Sequence, residues 1–303
     1  MRLQTLLATT GFLAMMAGPA VAQGQQDFSK VEIVTTKISP NFVALDGQGG
    51  RIGVLYGPDG IFMVDSQFAP LSDKIVAAIR KVSDQPIKFL VDTHVHGDHT
   101  GGNENFGKMG ATIVARPMLK QRLVKPNPPA GGGAAPASAP AAAIPGYIID
   151  SRARMLMDGE TIELIPLPVA HTDGDTAVKF QKNDVLMTGD VFRSLGFPNI
   201  DRANGGSLKG MLAAFDTLID AAGPKTKVLP GHGPITDRAG MIAHKKMALA
   251  LRDQVAKMIA EGKTQEQVVA AKVTNPYEQA TGNAAGTGDR FITQLYAELK
   301  ASS

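Results

Sequence analysis

The chemistry of this sequence is concentrated in Thr93-His94-Val95-His96-Gly97-Asp98-His99-Thr100-Gly101-Gly102, three imidazoles and a carboxylate within six residues. The apolar run Ile87-Lys88-Phe89-Leu90-Val91 leads into it as a buried strand leads to its C-terminal end. Neutral imidazole and carboxylate suit zinc, manganese or iron. One tetrahedral ion cannot take four donors crowded into one turn, so the pattern points to two ions. An extended backbone through His94-Val95-His96 would aim both imidazoles at one ion. Gly97 would then let the chain turn and present Asp98 and His99 to a second ion. A polar, histidine-rich loop without metal is the plain alternative.

Four more residues share one property: His171, Asp190, His232 and Asp65 each follow an apolar, strand-like run. Taken singly, His171 or His232 would be an ordinary hydrogen-bonded histidine and Asp190 a turn residue. Strand ends from different parts of a sheet core converge on one edge, which gives the joint pattern its weight.

The elements needed to hold these residues are legible in outline. Val31–Val34, Phe42–Leu45, Gly53–Tyr56 and Ile61–Val64 alternate with Gly- and Asp-rich turns, as in an antiparallel meander. Ser72–Val82 has helical spacing. After the cluster, 101–106 and 117–123 suit short helices and 112–115 a strand. Strands return at 154–157, 161–169, 176–180 and 185–188. They are followed by an amphipathic helix over 208–222, a strand at 227–229 and a helical C-terminal part from about 237. Meander, helix, strand, loop and helix, then the same order again, suggests two sheets face to face with helices outside.

Residues 1–22 carry a positive start, a short apolar stretch and Ala20-Val21-Ala22, the marks of a secretory signal peptide cleaved after Ala22. This implies export to the periplasm or medium. Residues 23–30 suggest a disordered lead-in, and 23–303 a single domain. Residues 125–146, rich in Pro, Gly and Ala, suggest a mobile loop, either an inert linker or a flap over the site. The 303 residues include no cysteine, so thiolate ligands and nucleophiles are excluded. A net charge of +3 is too small to argue for nucleic acid, and no later stretch is long and apolar enough to span a bilayer. A small-molecule substrate is the remaining expectation.

Asp65, His94-x-His96-x-Asp98-His99, His171, Asp190 and His232, in that order over residues 31–240, resemble the metallo-β-lactamase fold superfamily of hydrolases. The resemblance implies an α/β (α+β) fold, a four-layer αββα sandwich. It further implies two Zn2+ per chain: one held by His94, His96 and His171, the other by Asp98, His99 and His232, with Asp190 bridging and Asp65 bracing the cluster. The sixth histidine, His244, is expected at the surface beside Lys245 and Lys246. The expected chemistry is attack of metal-bound hydroxide on an acyl carbonyl of a β-lactam, lactone, or other ester or amide, with Asp98 accepting a proton. Aspartate at 190 resembles thioesterases and lactonases, since similar zinc β-lactamases carry cysteine or serine there. A thioesterase of the glyoxalase II kind and an iron-dependent oxidoreductase of the same fold are therefore the alternatives. Arg193 and Arg202 could hold a substrate carboxylate or serve structure, and Tyr147 is a weak substrate contact.

Overall fold

The computed structural model describes residues 27–128 and 133–301; the signal-peptide expectation lies outside them. The first sheet has seven strands in sequential order. β1 (Val34–Ser39), β2 (Phe42–Asp46), β3 (Ile52–Gly57) and β4 (Gly60–Val64) form the antiparallel meander. β5 (Ile87–Val91), β6 (Thr112–Ala115) and the short β7 (Tyr147–Ile148) continue it in parallel. The second sheet has five. β8 (Ala153–Met157), β9 (Glu160–Pro166), β10 (Thr176–Phe180) and β11 (Val185–Met187) are antiparallel neighbours, and β12 (Lys227–Leu229) lies parallel to β11. Among the described residues eight α-helices accompany them: α1 (Ser72–Ile79), α2 (Gly97–Thr100), α3 (Asn103–Lys108), α4 (Pro117–Val124), α5 (Leu208–Ala221), α6 (Arg238–Ala260), α7 (Gln265–Ala270) and α8 (Thr287–Ala301).

Three apolar clusters make the layers. Phe42, Phe62, Leu164, Val178 and Phe180 fill the space between the sheets, with the Phe42 and Phe180 rings edge-on at 4.7 Å. Val43, Ile52, Ile61 and Leu90 on the opposite face of the first sheet meet α1 and the residue that caps it through Ile75, Ile79 and Leu71. Ala177, Leu186 and Val228 on the outer face of the second sheet meet α5, α6 and α8 through Phe215, Leu251 and Phe291. The period of two along each strand sends alternate residues to the two sides, and the result is the αββα sandwich.

The first strand starts at Val34, not Val31. Lys74 Nζ on α1 takes the Phe28, Ser29 and Val31 carbonyls, the first at 3.1 Å. The Phe28 and Phe68 rings meet at 5.2 Å. Residues 27–31 are thus drawn onto α1, and 27–30 do not form the loose lead-in that composition suggests.

The described part of 125–146 is likewise tied down. Ser138 Oγ and Ala139 N donate to the Val124 and Leu123 carbonyls at 2.6 and 2.8 Å. Asn127 Nδ2 donates to Ala203 O at 2.6 Å. The 3-10 turn Ala141–Ala143 sits on α3 so closely that a Cβ on Gly107 would stand 2.0 Å from Ala142 O. Small residues leave little area to bury, yet they permit this backbone approach.

His244 is not a surface residue. It is 8% exposed, with its ring 5.3 Å from Phe192 and 5.7 Å from Phe215. Met241, His244, Ala248, Leu251 and Val255 form the buried stripe of α6 at spacings of three and four. The two lysines that follow His244 fall outside that stripe, so their charge says nothing about its face.

Candidate metal centre

β4, β5, β11 and β12 release the chain at one edge of the sandwich, where Asp65, the histidine cluster, Asp190 and His232 follow; His171 joins them from the β9–β10 connection. Among the described residues, two groups offer ligand atoms all within 4.8 Å of one another: His94, His96, His171 and Asp190, and Asp98, His99 and His232. All seven residues expected from the sequence are therefore brought together.

The local backbone differs from the expectation. Residues 93–95 form a bend rather than an extended run, and His96 is the N-cap of α2. Gly97 has room for a Cβ, with no atom within 4 Å, so the turn does not require glycine there. Gly101 does: a Cβ would stand 2.4 Å from Gly97 O and 2.8 Å from Gln67 O.

Hydrogen bonds outside the cluster fix which nitrogen of each ring looks inward. Thr93 Oγ1 donates to Asp65 Oδ2 at 2.8 Å, so it accepts from His94 Nδ1 at 3.1 Å. His99 Nδ1 donates to the same carboxylate at 2.7 Å. Asn199 O accepts from His171 Nδ1 at 2.7 Å. Each of these three rings therefore presents Nε2 to the centre. His96 is reversed: Nε2 bonds Asp201 Oδ2 at 2.7 Å, and Nδ1 lies 3.0 Å from His171 Nε2. Such outer partners set tautomer and ring orientation at metal sites.

Three of the inward atoms, His94 Nε2, His99 Nε2 and Asp190 Oδ1, are buried without a hydrogen-bond partner. Buried polar atoms are rarely left so, because desolvation without a partner costs about 1–3 kcal/mol each. A cation between them would satisfy all three. Asp190 spans both groups: Oδ1 lies 3.5 Å from His99 Nε2 and 3.3 Å from His232 Nε2, and Oδ2 lies 3.8 Å from His171 Nε2. His232 Nε2 is also 3.1 Å from Asp98 Oδ2. The donor set, all nitrogen and oxygen, fits a pair of divalent ions.

Protonation divides the same way. Burial, with the neighbouring imidazoles, holds His94 well below the usual histidine range, and burial with His96 brings His171 to about 3. At His99 the downward pull of burial is overcome by Asp65 and Asp190, and its pKa stands well above the ordinary value. His232 is raised in the same way by Asp190 and Asp98. Burial pushes Asp98 up, but His232 and His99 prevail and bring it down to about 2.

Asp201 and the Asn199 carbonyl orient two of the rings, and the sequence gives neither a signal; each depends on a loop fold distant in the chain. Asp175, buried at 2%, accepts from Thr172 N at 2.9 Å and Thr172 Oγ1 at 2.6 Å and shapes the turn after His171. Arg193 Nη1 reaches Asp190 Oδ2 at 3.2 Å, so this guanidinium is engaged with the centre. Arg202 is exposed, and Tyr147, 59% exposed, lies on the edge strand β7. Beside His96 is a pocket of about 310 Å3, with Leu123, Pro126, Pro136 and Ala137 among its walls.

The chain belongs to the metallo-beta-lactamase superfamily, whose family profile matches residues 46–232. The "Beta-lactamase-like protein 2 homolog" of Caenorhabditis elegans is 23% identical over 172 residues, 56% of this chain and 51% of that protein. The chain thus spans about half the length of that relative. The solved metallo-beta-lactamase from Pontibacter korlensis superposes with TM-score 0.60 at 19% identity, over 72% of this chain and 99% of that one. The stereoselective inverting sec-alkylsulfatase Pisa1 from Pseudomonas sp. superposes with TM-score 0.66 at 15% identity, over 87% of this chain and 50% of that one. The protein is thus a member of this superfamily with a candidate metal site.

Proposed function

We propose that this protein is an exported hydrolase that uses two zinc ions to cleave an acyl carbonyl compound, a β-lactam, lactone, or other ester or amide. The observation that carries the reading is the convergence of inward-facing ring nitrogens of His94, His96, His99 and His171 around Asp190, with three of the buried ligand atoms unpartnered. His94, His96 and His171 would hold one ion, Asp98, His99 and His232 the other, and Asp190 both. Divalent ions there supply Lewis acidity and bring the ionisation of water toward neutral pH. Asp65, Thr93, Asn199 and Asp201 keep the imidazoles aimed. The Asp98 carboxylate, held ionised by His232 and His99, accepts a proton at Oδ2. Apolar walls beside His96 favour a neutral, partly hydrophobic substituent.

The second reading is thioester hydrolysis, favoured by aspartate at position 190. The test is a panel of β-lactam, lactone, aryl ester, thioester and alkyl sulfate substrates with zinc-loaded protein lacking residues 1–22, with metal content measured on the same sample. Acyl turnover with two zinc per chain, lost in His96→Ala and Asp98→Ala, is the expected result. Thioester turnover alone would establish the second reading. Iron in place of zinc, with no hydrolysis, would replace both with redox chemistry. Turnover of alkyl sulfate alone, the substrate class in the name of the Pseudomonas enzyme, would move the reaction from acyl compounds to sulfate esters.

A further inference from the structure

A cavity of about 680 Å3 lies apart from the metal centre, between the loops that follow Asp190 and His232, helix α6 and the 3-10 turns at 275–281. None of the seven proposed ligands lines it. Phe192, Ile235, Met247 and Tyr277 give it apolar walls. Ala243, Ala250 and Ala280 keep it wide, because each puts only a methyl group where a larger side chain would close the space. Its size and lining match those of small-molecule sites, which are mostly apolar with a few polar groups.

Charge narrows the occupant. Burial holds the His244 imidazole at a pKa of about 4, so that part of the wall is neutral at physiological pH. Lys246 is the cation among the lining residues. It is exposed and makes no ion pair with a described residue, whereas Lys245 beside it is paired with Asp216. An apolar trough with one free ammonium suits an amphiphile with an anionic head.

We propose that this cavity binds a medium-chain alkyl carboxylate, its chain against Phe192, Ile235, Met247 and Tyr277 and its carboxylate at Lys246 Nζ. The site is separate from the metal centre but is lined by residues of the loops that leave it. Ser194 N donates to His232 O at 3.0 Å and Ser194 Oγ to Pro234 O at 2.6 Å. The occupant therefore rests on the same two loops that present Asp190 and His232.

The test is calorimetric titration of metal-free protein with hexanoate, octanoate and decanoate, and with decan-1-ol as the uncharged control. We expect one ligand per chain and an affinity rising about fourfold per methylene, as burial of a CH2 group implies. Ala250→Trp, at an exposed position of α6, should fill the cavity and weaken decanoate at least tenfold; Ala280→Trp repeats the test from the opposite wall. Lys246→Gln should weaken decanoate several-fold and leave decan-1-ol unchanged. Decanoate binding that survives both tryptophan variants but is lost in His96→Ala would place the carboxylate at the ligand cluster and overturn the proposal. So would sedimentation showing a dimer that Ala250→Trp dissociates, with no decanoate bound, because a second copy would then cover the groove. Since no metal is present, these outcomes do not depend on the hydrolase reading.

Discussion

Each of His94, His96, His99 and His171 has one ring nitrogen committed to an outer acceptor, so its other nitrogen faces the centre whether or not an ion is bound. Asp201 is the plainest case, because it alone turns His96 to present Nδ1 in place of Nε2. Removal of such outer partners typically costs 10–100-fold in metal affinity. Asp201→Ala should therefore weaken zinc at the group of His94, His96 and His171 by about that factor in a chelator competition, with a circular dichroism spectrum unchanged. Unchanged affinity would mean that His96 is aimed by other contacts. The candidate ligands could be picked out because four of them fall within six residues and the rest follow apolar runs. Asp201 was not, since its partner lies 105 residues away and no spacing rule connects a loop aspartate to a distant imidazole. His244 was misplaced for a related reason: its neighbours' charge is visible in the sequence, whereas the face that α6 buries is settled by α5 and by Phe192 on the loop after Asp190.

α8 lies beyond the matched residues 46–232, yet it holds the loop that orients two of the rings. Gln294 Oε1 accepts from Ile200 N at 3.0 Å, and Gln294 Nε2 donates to Asn199 Oδ1 at 2.9 Å. Arg290 Nη2 reaches Phe197 O at 3.5 Å. Ile200 is 1% exposed, so its amide has no water to turn to. Gln294→Ala should destabilise the metal-free protein by about 1–3 kcal/mol in urea denaturation, the cost of an unsatisfied buried donor. It should also lower zinc affinity, since Asn199 and Asp201 flank Ile200. Gln294→Glu, which keeps the acceptor for Ile200 N, should recover most of the stability; failure to do so would shift the role to the bond with Asn199. Strands such as Ile87–Val91 and Thr112–Ala115 were legible to the residue because buried parallel strands are short apolar runs between turn signals. The docking of residues 141–143 was not, because composition reports how little area a stretch can bury, not whether small residues let its backbone approach α3.

Both sheets, several helices and the loops between them converge on one edge, so protonation there bears on the stability of the whole molecule. An imidazole must be neutral to ligate. His94 and His171 are neutral near pH 7 because their pKa values are depressed. His99 and His232, raised by Asp65, Asp190 and Asp98, hold protons where an ion would stand. A raised folded-state pKa stabilises the metal-free protein fully below the unfolded histidine value, about 6.5. That contribution is lost as pH rises through the elevated folded value. Zinc bound at the second group would replace those protons, so acid should empty that group first. Equilibrium dialysis should find close to two zinc per chain at about pH 8 and close to one at about pH 5.5. Chelation should lower the melting temperature more at the higher pH, where free protons no longer substitute for the ion. With zinc at about 1,000 times its dissociation constant the difference should be about 4 kcal/mol, or roughly 8–16 °C. A stoichiometry that does not change with pH would show that the carboxylates do not hold protons on His99 and His232, and the division of the centre into a neutral and a proton-bearing half would have to be given up.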